Sequence, residues 1–148
     1  MNKAQQGRTM IETLAVIAIG ALILVMGFAG YLTAMNRYRT NQILDYVNRC
    51  AVVAQSYGDG YELKSVEGED IIVRCGDLLS DIAPNGLDGK EFIVTAANEN
   101  VLLYQITTPY IKSKDIRAAL VARATTILNG EVIDIWDFQG KVEFTFRK

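Results

Sequence analysis

Histidine is absent from this chain of 148 residues. Its absence removes Ser–His and Cys–His nucleophile pairs, and with them the commonest metal ligand. Only two cysteines occur, Cys50 and Cys75, too far apart in sequence to form a CxxC pair. No GxGxxG turn and no Walker loop is present, so the familiar phosphate-cradling motifs are missing. Basic runs are lacking too. The net charge is −2, and no Lys/Arg cluster supplies the electrostatic footprint of nucleic-acid binding. The acids Glu67, Glu69 and Asp70 crowd one short stretch, which reads as a solvated loop rather than a cation site. No catalytic constellation remains, so neither an enzyme nor a bound cofactor or metal is expected. Proline is scarce: none precedes Pro84, and nothing of that kind interrupts a helix in the first half of the chain.

What the first half holds is a long apolar run. Residues Thr13 to Ala34 carry no charge. As a helix this stretch would be about 33 Å long at about 1.5 Å per residue, enough to cross a hydrocarbon core about 30 Å thick. It is too long for the apolar region of a cleaved secretory signal. As a buried core helix it would need a domain large enough to surround it, which the roughly 90 remaining residues cannot supply. Lys3 and Arg8 precede the run and Arg37 and Arg39 follow it, so flanking charge leaves its orientation open. One acid, Glu12, sits at its lip. A carboxylate deep in lipid costs roughly 2.5–3.5 kcal/mol on insertion scales and usually marks function; a carboxylate at headgroup level is simply hydrated.

After Met35 the helical pattern continues with a different character. Ile43, Val47, Cys50, Ala54 and Tyr57 share one helical face, with Arg39, Gln42, Asp45, Asn48 and Arg49 off it. The pattern predicts a single helix from about Thr9 to Tyr57, halted by Gly58-Asp59-Gly60 and about 70 Å long. Its first half suits lipid and its second half the flank of a small domain.

Gly7-Arg8-Thr9-Met10-Ile11-Glu12, followed at once by the apolar run, resembles the processing and assembly region of a type IV pilin or pseudopilin precursor. In that family a glycine ends a short basic leader, a glutamate lies five positions on, and an apolar helix follows. A narrower likeness lies in Ala83 to Leu120, which is similar to the type IVb thin-pilus subunits of conjugative plasmids. Arg8 stands where the family usually has Phe, Met or Leu, and the family's C-terminal cysteine pair and helix-kinking proline are missing. Gly20, Gly27 and Gly30 are the residues expected to loosen the helix instead.

The resemblance implies a structural subunit of a type IV pilus or related filament. A prepilin peptidase would reach Gly7 in a backbone turn and remove residues 1–7. The new amine on Arg8 would be open to methylation. Glu12 would pair with the N-terminal amine of a neighbouring identical or related subunit. An inner-membrane platform and its ATPase would draw subunits from the lipid of the bacterial inner membrane into a periplasmic or cell-surface filament. The alternatives are a pseudopilin of a type II secretion system and a single-span membrane-anchored binding domain.

Residues 58–148 read as a globular part, giving an α+β fold: a long N-terminal helix, membrane-spanning over about residues 13–34, packed on a small antiparallel sheet with an extra helix. Glu69 to Arg74 reads as a short strand or edge. Cys75 to Ile82 reads as one or two helical turns ended by Pro84-Asn85-Gly86. Glu91 to Ala96 and Val101 to Thr107 are β-rich, joined by Ala97 to Asn100. Ser113 caps a helix to Leu128, with Ile116, Leu120, Ala124 and Ile127 on one face and Asn129-Gly130 as its stop. Glu131 to Phe138 and Lys141 to Arg147 form a hairpin across Gln139-Gly140. Val142, Phe144 and Phe146 alternate with polar residues and point to a core, which Val132, Trp136 and Phe138 are expected to share in a four-stranded sheet. Cys50 lies on the domain-facing helix stripe, and Cys75 follows apolar Ile71-Ile72-Val73. In an envelope protein they could be bridged; otherwise both pack as buried thiols.

Overall fold

A computed structural model of the chain describes residues 3–57, 73–79, 83–84, 86–96, 103–128 and 132–147. The expected loop acids Glu67, Glu69 and Asp70, the Gly58-Asp59-Gly60 stop, the Ala97 to Asn100 connection and the Asn129-Gly130 stop lie outside the described residues.

The fold is α+β. Helix α1 covers Lys3–Tyr57. It starts six residues before the expected Thr9, because nothing in Lys3 to Gln6 resists a helix. The single Gly7 costs only about 1 kcal/mol there. Gly7 therefore lies within the helix and not in a turn.

The chain divides into two compact units, Met1–Met35 and Asn36–Lys148. The second unit includes the latter part of α1 and holds the core. Its strands are β1 (Val73–Arg74), β2 (Ile93–Ala96), β3 (Leu103–Thr107), β4 (Val132–Phe138) and β5 (Lys141–Arg147), in the order β1-β2-β3-β5-β4. Every pairing is antiparallel. The sheet has five strands rather than four, because Val73–Arg74, in the stretch read as a short strand or edge, joins it. The added edge, β1, is set by Val73 opposite Val94 and prolonged by the Cys75 amide donating to the Phe92 carbonyl at 2.9 Å. Helix α2 (Cys75–Leu78) is a single turn, and a 3₁₀ turn at Gly89–Glu91 shortens the next expected strand. Asp88 holds that turn by accepting from the Lys90 amide at 3.0 Å.

One row of side chains crosses the inner face: Val73, Val94, Ile106, Phe144 and Ile135, each opposite the next. A second row joins Tyr104, Phe146 and Val132, and the Tyr104 and Phe146 rings stack at 5.1 Å. The α1 stripe packs in the same core and is wider than the expected face. Leu44, Tyr46 and Ala51 are buried beside Ile43, Val47, Cys50 and Ala54, which is the breadth a globular helix face needs. Tyr46 also meets the Phe92 ring, with centroids 4.8 Å apart.

Helix α3 (Lys114–Ile127) begins at Ser113, whose hydroxyl accepts from the Ile116 amide at 3.4 Å. Its buried residues are Ile116, Leu120 and Ala124, and the fourth is Leu128 rather than the expected Ile127. The i, i+4 progression from Ile116 lands on Leu128, and Ile127 is turned about 100° away. Arg117 ties α3 to the hairpin: its Nε lies 3.1 and 3.2 Å from the two carboxylate oxygens of Asp137.

The expectation that Trp136 and Phe138 join the core is overturned: they are 62% and 63% exposed. The cause is a bulge. Val132 lies opposite Phe146 and Asp134 opposite Thr145, which leaves Ile133 as an extra residue. Each added residue exchanges the two faces of a strand. Beyond the bulge, the inward positions are therefore Ile135 and Asp137, while Asp134, Trp136 and Phe138 face out. Without the bulge, Asp134 would stand opposite the wholly buried Phe144, a costly place for a carboxylate.

The β4–β5 turn uses Gln139 and Gly140, with φ of +50° and +83°. Two left-handed residues match the twist of the strands they join. The Ile111 amide donates to the Gly140 carbonyl at 2.7 Å, and the Tyr110 ring occupies the space a Cβ on Gly140 would need.

Candidate functional site

In the first unit, Met10 to Leu32 contributes 14 exposed large apolar side chains. The five consecutive residues Leu22, Ile23, Leu24, Val25 and Met26 are all among them. Five successive helical positions cover more than a full turn, so this stretch is apolar all round rather than along one stripe. Such a helix belongs in a large core or a membrane, and none of its most apolar window is buried within the chain. Burying one such side chain is worth about 1.5–3 kcal/mol. Leaving a dozen in water would forgo more than the roughly 5–15 kcal/mol that holds a domain together. The helix is long and apolar enough to cross a membrane.

The polar groups of this stretch are few and handled locally. The Thr33 hydroxyl donates to the Ala29 carbonyl one turn back, at 3.0 Å, so it brings no unmet hydrogen bond into an apolar surrounding. Gly20, Gly27 and Gly30 have open space where a side chain would stand, so packing within the chain does not call for glycine at any of them. Glu12 is exposed at the start of the apolar run.

The expected site residues thus fall into two groups. Gly7, Arg8 and Glu12 share the opening turns of α1. Cys50 and Cys75 belong to the second unit, where the structure joins them as a disulfide with Cα atoms 5.7 Å apart. The bridge fastens the buried stripe of α1 to α2, and both cysteines are wholly buried. It is a structural link and has no part in the N-terminal group.

One surface escaped sequence reasoning: the outward side of β4. There the Trp136 indole Nε1 donates to Asp134 Oδ2 at 2.6 Å, while Asp134 Oδ1 accepts from the Ile135 amide at 2.9 Å. A signal was available. Val132-Ile133 places two apolar residues side by side, which breaks the period of two, and strict alternation from Val132 would have put Asp134 inside.

No family model matches the chain, and no curated protein or solved structure is significantly similar to it.

Proposed function

We propose that this chain is a structural subunit of a type IV pilus or a related filament. One observation carries the reading: a single helix, Lys3–Tyr57, is apolar and exposed on all sides in its first part and packed into a small antiparallel sheet domain in its latter part. A subunit that waits in lipid and is later withdrawn into a helical bundle needs that division. Lipid covers the apolar half first, and neighbouring helices cover it afterwards.

On this reading the chain resides in the bacterial inner membrane until a prepilin peptidase cuts after Gly7. An assembly platform and its ATPase then move it into a filament of identical or related subunits. The cut frees an amine on Arg8, four residues from Glu12. Within one helix a separation of four puts the two on the same side; in a staggered bundle the amine can instead meet the carboxylate of the next subunit. A charged pair formed in apolar surroundings fixes register, because removing one partner costs about 3–5 kcal/mol. No catalytic role is assigned to the chain.

The test is intact mass and filament yield in cells carrying a prepilin peptidase. The extracted wild-type protein should lack residues 1–7, and Gly7→Val should keep them. Glu12→Ala should be cut and membrane-inserted yet absent from sheared filaments, with Glu12→Asp partly active. A wild-type mass that retains the first seven residues would favour a single-span anchored domain instead. Full filament yield from Glu12→Ala would reduce the carboxylate to a hydrated residue at headgroup level. A short periplasmic filament in place of a surface one would select the secretion pseudopilin.

A further inference from the structure

We propose that the outward face of the β4–β5 hairpin, centred on Trp136, is a binding platform for a neutral glycan chain. The inference concerns the second compact unit alone and holds whether or not the chain enters a filament.

The first ground is the bulge at Ile133. It turns Trp136 and Phe138 out of the core layer and leaves both more than half exposed. Bulges of this kind re-aim side chains and gather next to functional sites. The two rings stand on the same side of one strand, two residues and about 7 Å apart, so an extended ligand can lie across both.

The second ground is that the indole is held. Asp134 uses one carboxylate oxygen for the Trp136 N–H and the other for the Ile135 amide. The indole is thereby tied along the strand, although its residue is exposed. A ring already fixed loses little freedom when a ligand stacks on it, and rigid aromatic anchors dominate binding surfaces for that reason.

The third ground is the chemistry around the rings. Glu143 lies opposite Trp136, and Lys141 opposite Phe138. With Asp134 and Arg147, the described residues of the face carry two acids against two bases and favour neither a polyanion nor a polycation. On the adjoining strand the half-buried Gln105 adds a neutral amide, which donates to the buried Thr145 hydroxyl at 3.4 Å. An aromatic plane rimmed by carboxylate and amide groups suits a pyranose. The C–H face of the sugar stacks on the ring, and its equatorial hydroxyls find hydrogen-bond partners at the edge. Because β4 is an edge strand with Trp136 and Phe138 exposed along it, a chain of sugars fits it better than a single enclosed one.

Trp136 is the only tryptophan in the chain, so its fluorescence reports this face directly. The full chain would be held in an amine-oxide detergent, because sugar-headed detergents would compete. It would be titrated with cellohexaose, chitohexaose and maltohexaose, with heparin as the polyanionic control. At least one neutral hexaose should give a saturable change in Trp136 emission, and heparin should give none. By calorimetry, Trp136→Ala should weaken that binding at least about tenfold, and Trp136→Phe should restore part of it. Asp134→Ala, which releases the indole, should weaken binding several-fold while the far-ultraviolet circular dichroism and the cooperative melt of the domain are retained. The proposal is overturned if no neutral hexaose binds up to about 10 mM, a free energy of only about 3 kcal/mol. It is equally overturned if Trp136→Ala binds as the wild type does. An emission shift that follows protein concentration without sugar, accompanied by dimers in sedimentation, would assign the face to a second copy of the chain and overturn it too.

Discussion

Reducing the Cys50–Cys75 bridge without altering any residue should lower the stability of the second unit by about 3.5 kcal/mol. The figure follows from the sequence separation of 25. Closing a loop of that length removes about 12 cal/mol/K from the unfolded ensemble. For a unit of this size the loss corresponds to a fall in melting temperature of roughly 10–18 °C. The comparison of oxidised with reduced wild type is the informative one, because two thiols fill nearly the same buried space as the bridge. Cys50→Ala/Cys75→Ala would add a packing loss of about 1–2 kcal/mol to the same entropy term. The assay is thermal unfolding of the full chain in detergent, followed by near-ultraviolet circular dichroism. That signal comes chiefly from the held aromatics of the second unit, among them Trp136 and the Tyr104–Phe146 stack. A parallel sample, denatured without reductant and treated with an alkylating agent, should take up no label. Coincident oxidised and reduced melts would refute the loop-entropy reasoning, and labelling of both cysteines would refute the bridge.

Three further outcomes follow from the packing. Phe144→Ala empties the centre of the inner row, where the ring is wholly buried, and should cost about 3–5 kcal/mol in urea unfolding; a loss under 1 kcal/mol would mean that the row is not the core. Gly140→Ala places a methyl against the Tyr110 ring at a φ of +83° and should cost about 1–3 kcal/mol, with Tyr110→Ala relieving the steric part in a double-mutant cycle. Residues 37–148, which keep the α1 stripe and lose the all-round apolar run, should form a soluble monomer with cooperative unfolding. A fragment that folds only when the first 36 residues are restored would contradict the division at Asn36.

Much of this protein can be read locally. The apolar run of α1 and the amphipathic stripe after it are matters of period along one helix, so composition alone separates a surface apolar all round from a surface with one buried side. Ser113 announces α3, because its side chain can meet an amide three residues on without help from the rest of the fold. Gln139-Gly140 announces its hairpin, because few residue pairs tolerate two left-handed conformations in succession. Each of these choices is settled among neighbours in the chain.

The remaining features depended on partners far away in sequence. Glu69 to Arg74 reads as a strand or edge, but that Val73–Arg74 joins this sheet is decided by Val94 and Ile93 beside it. β3 lies against β5 although α3 and β4 intervene, an adjacency that periodicity does not encode. The stripe and the β1–α2 junction place one cysteine each, and only their packing brings the two sulfurs into bonding range. The sharpest case is β4. Its alternation could have begun on either face, and the inner row chose by putting Ile135 opposite Phe144 and letting Ile133 bulge. That single extra residue kept Asp134 in solvent and sent Trp136 and Phe138 outward with it, because in a pleated strand a shift of one residue moves every later side chain to the opposite face.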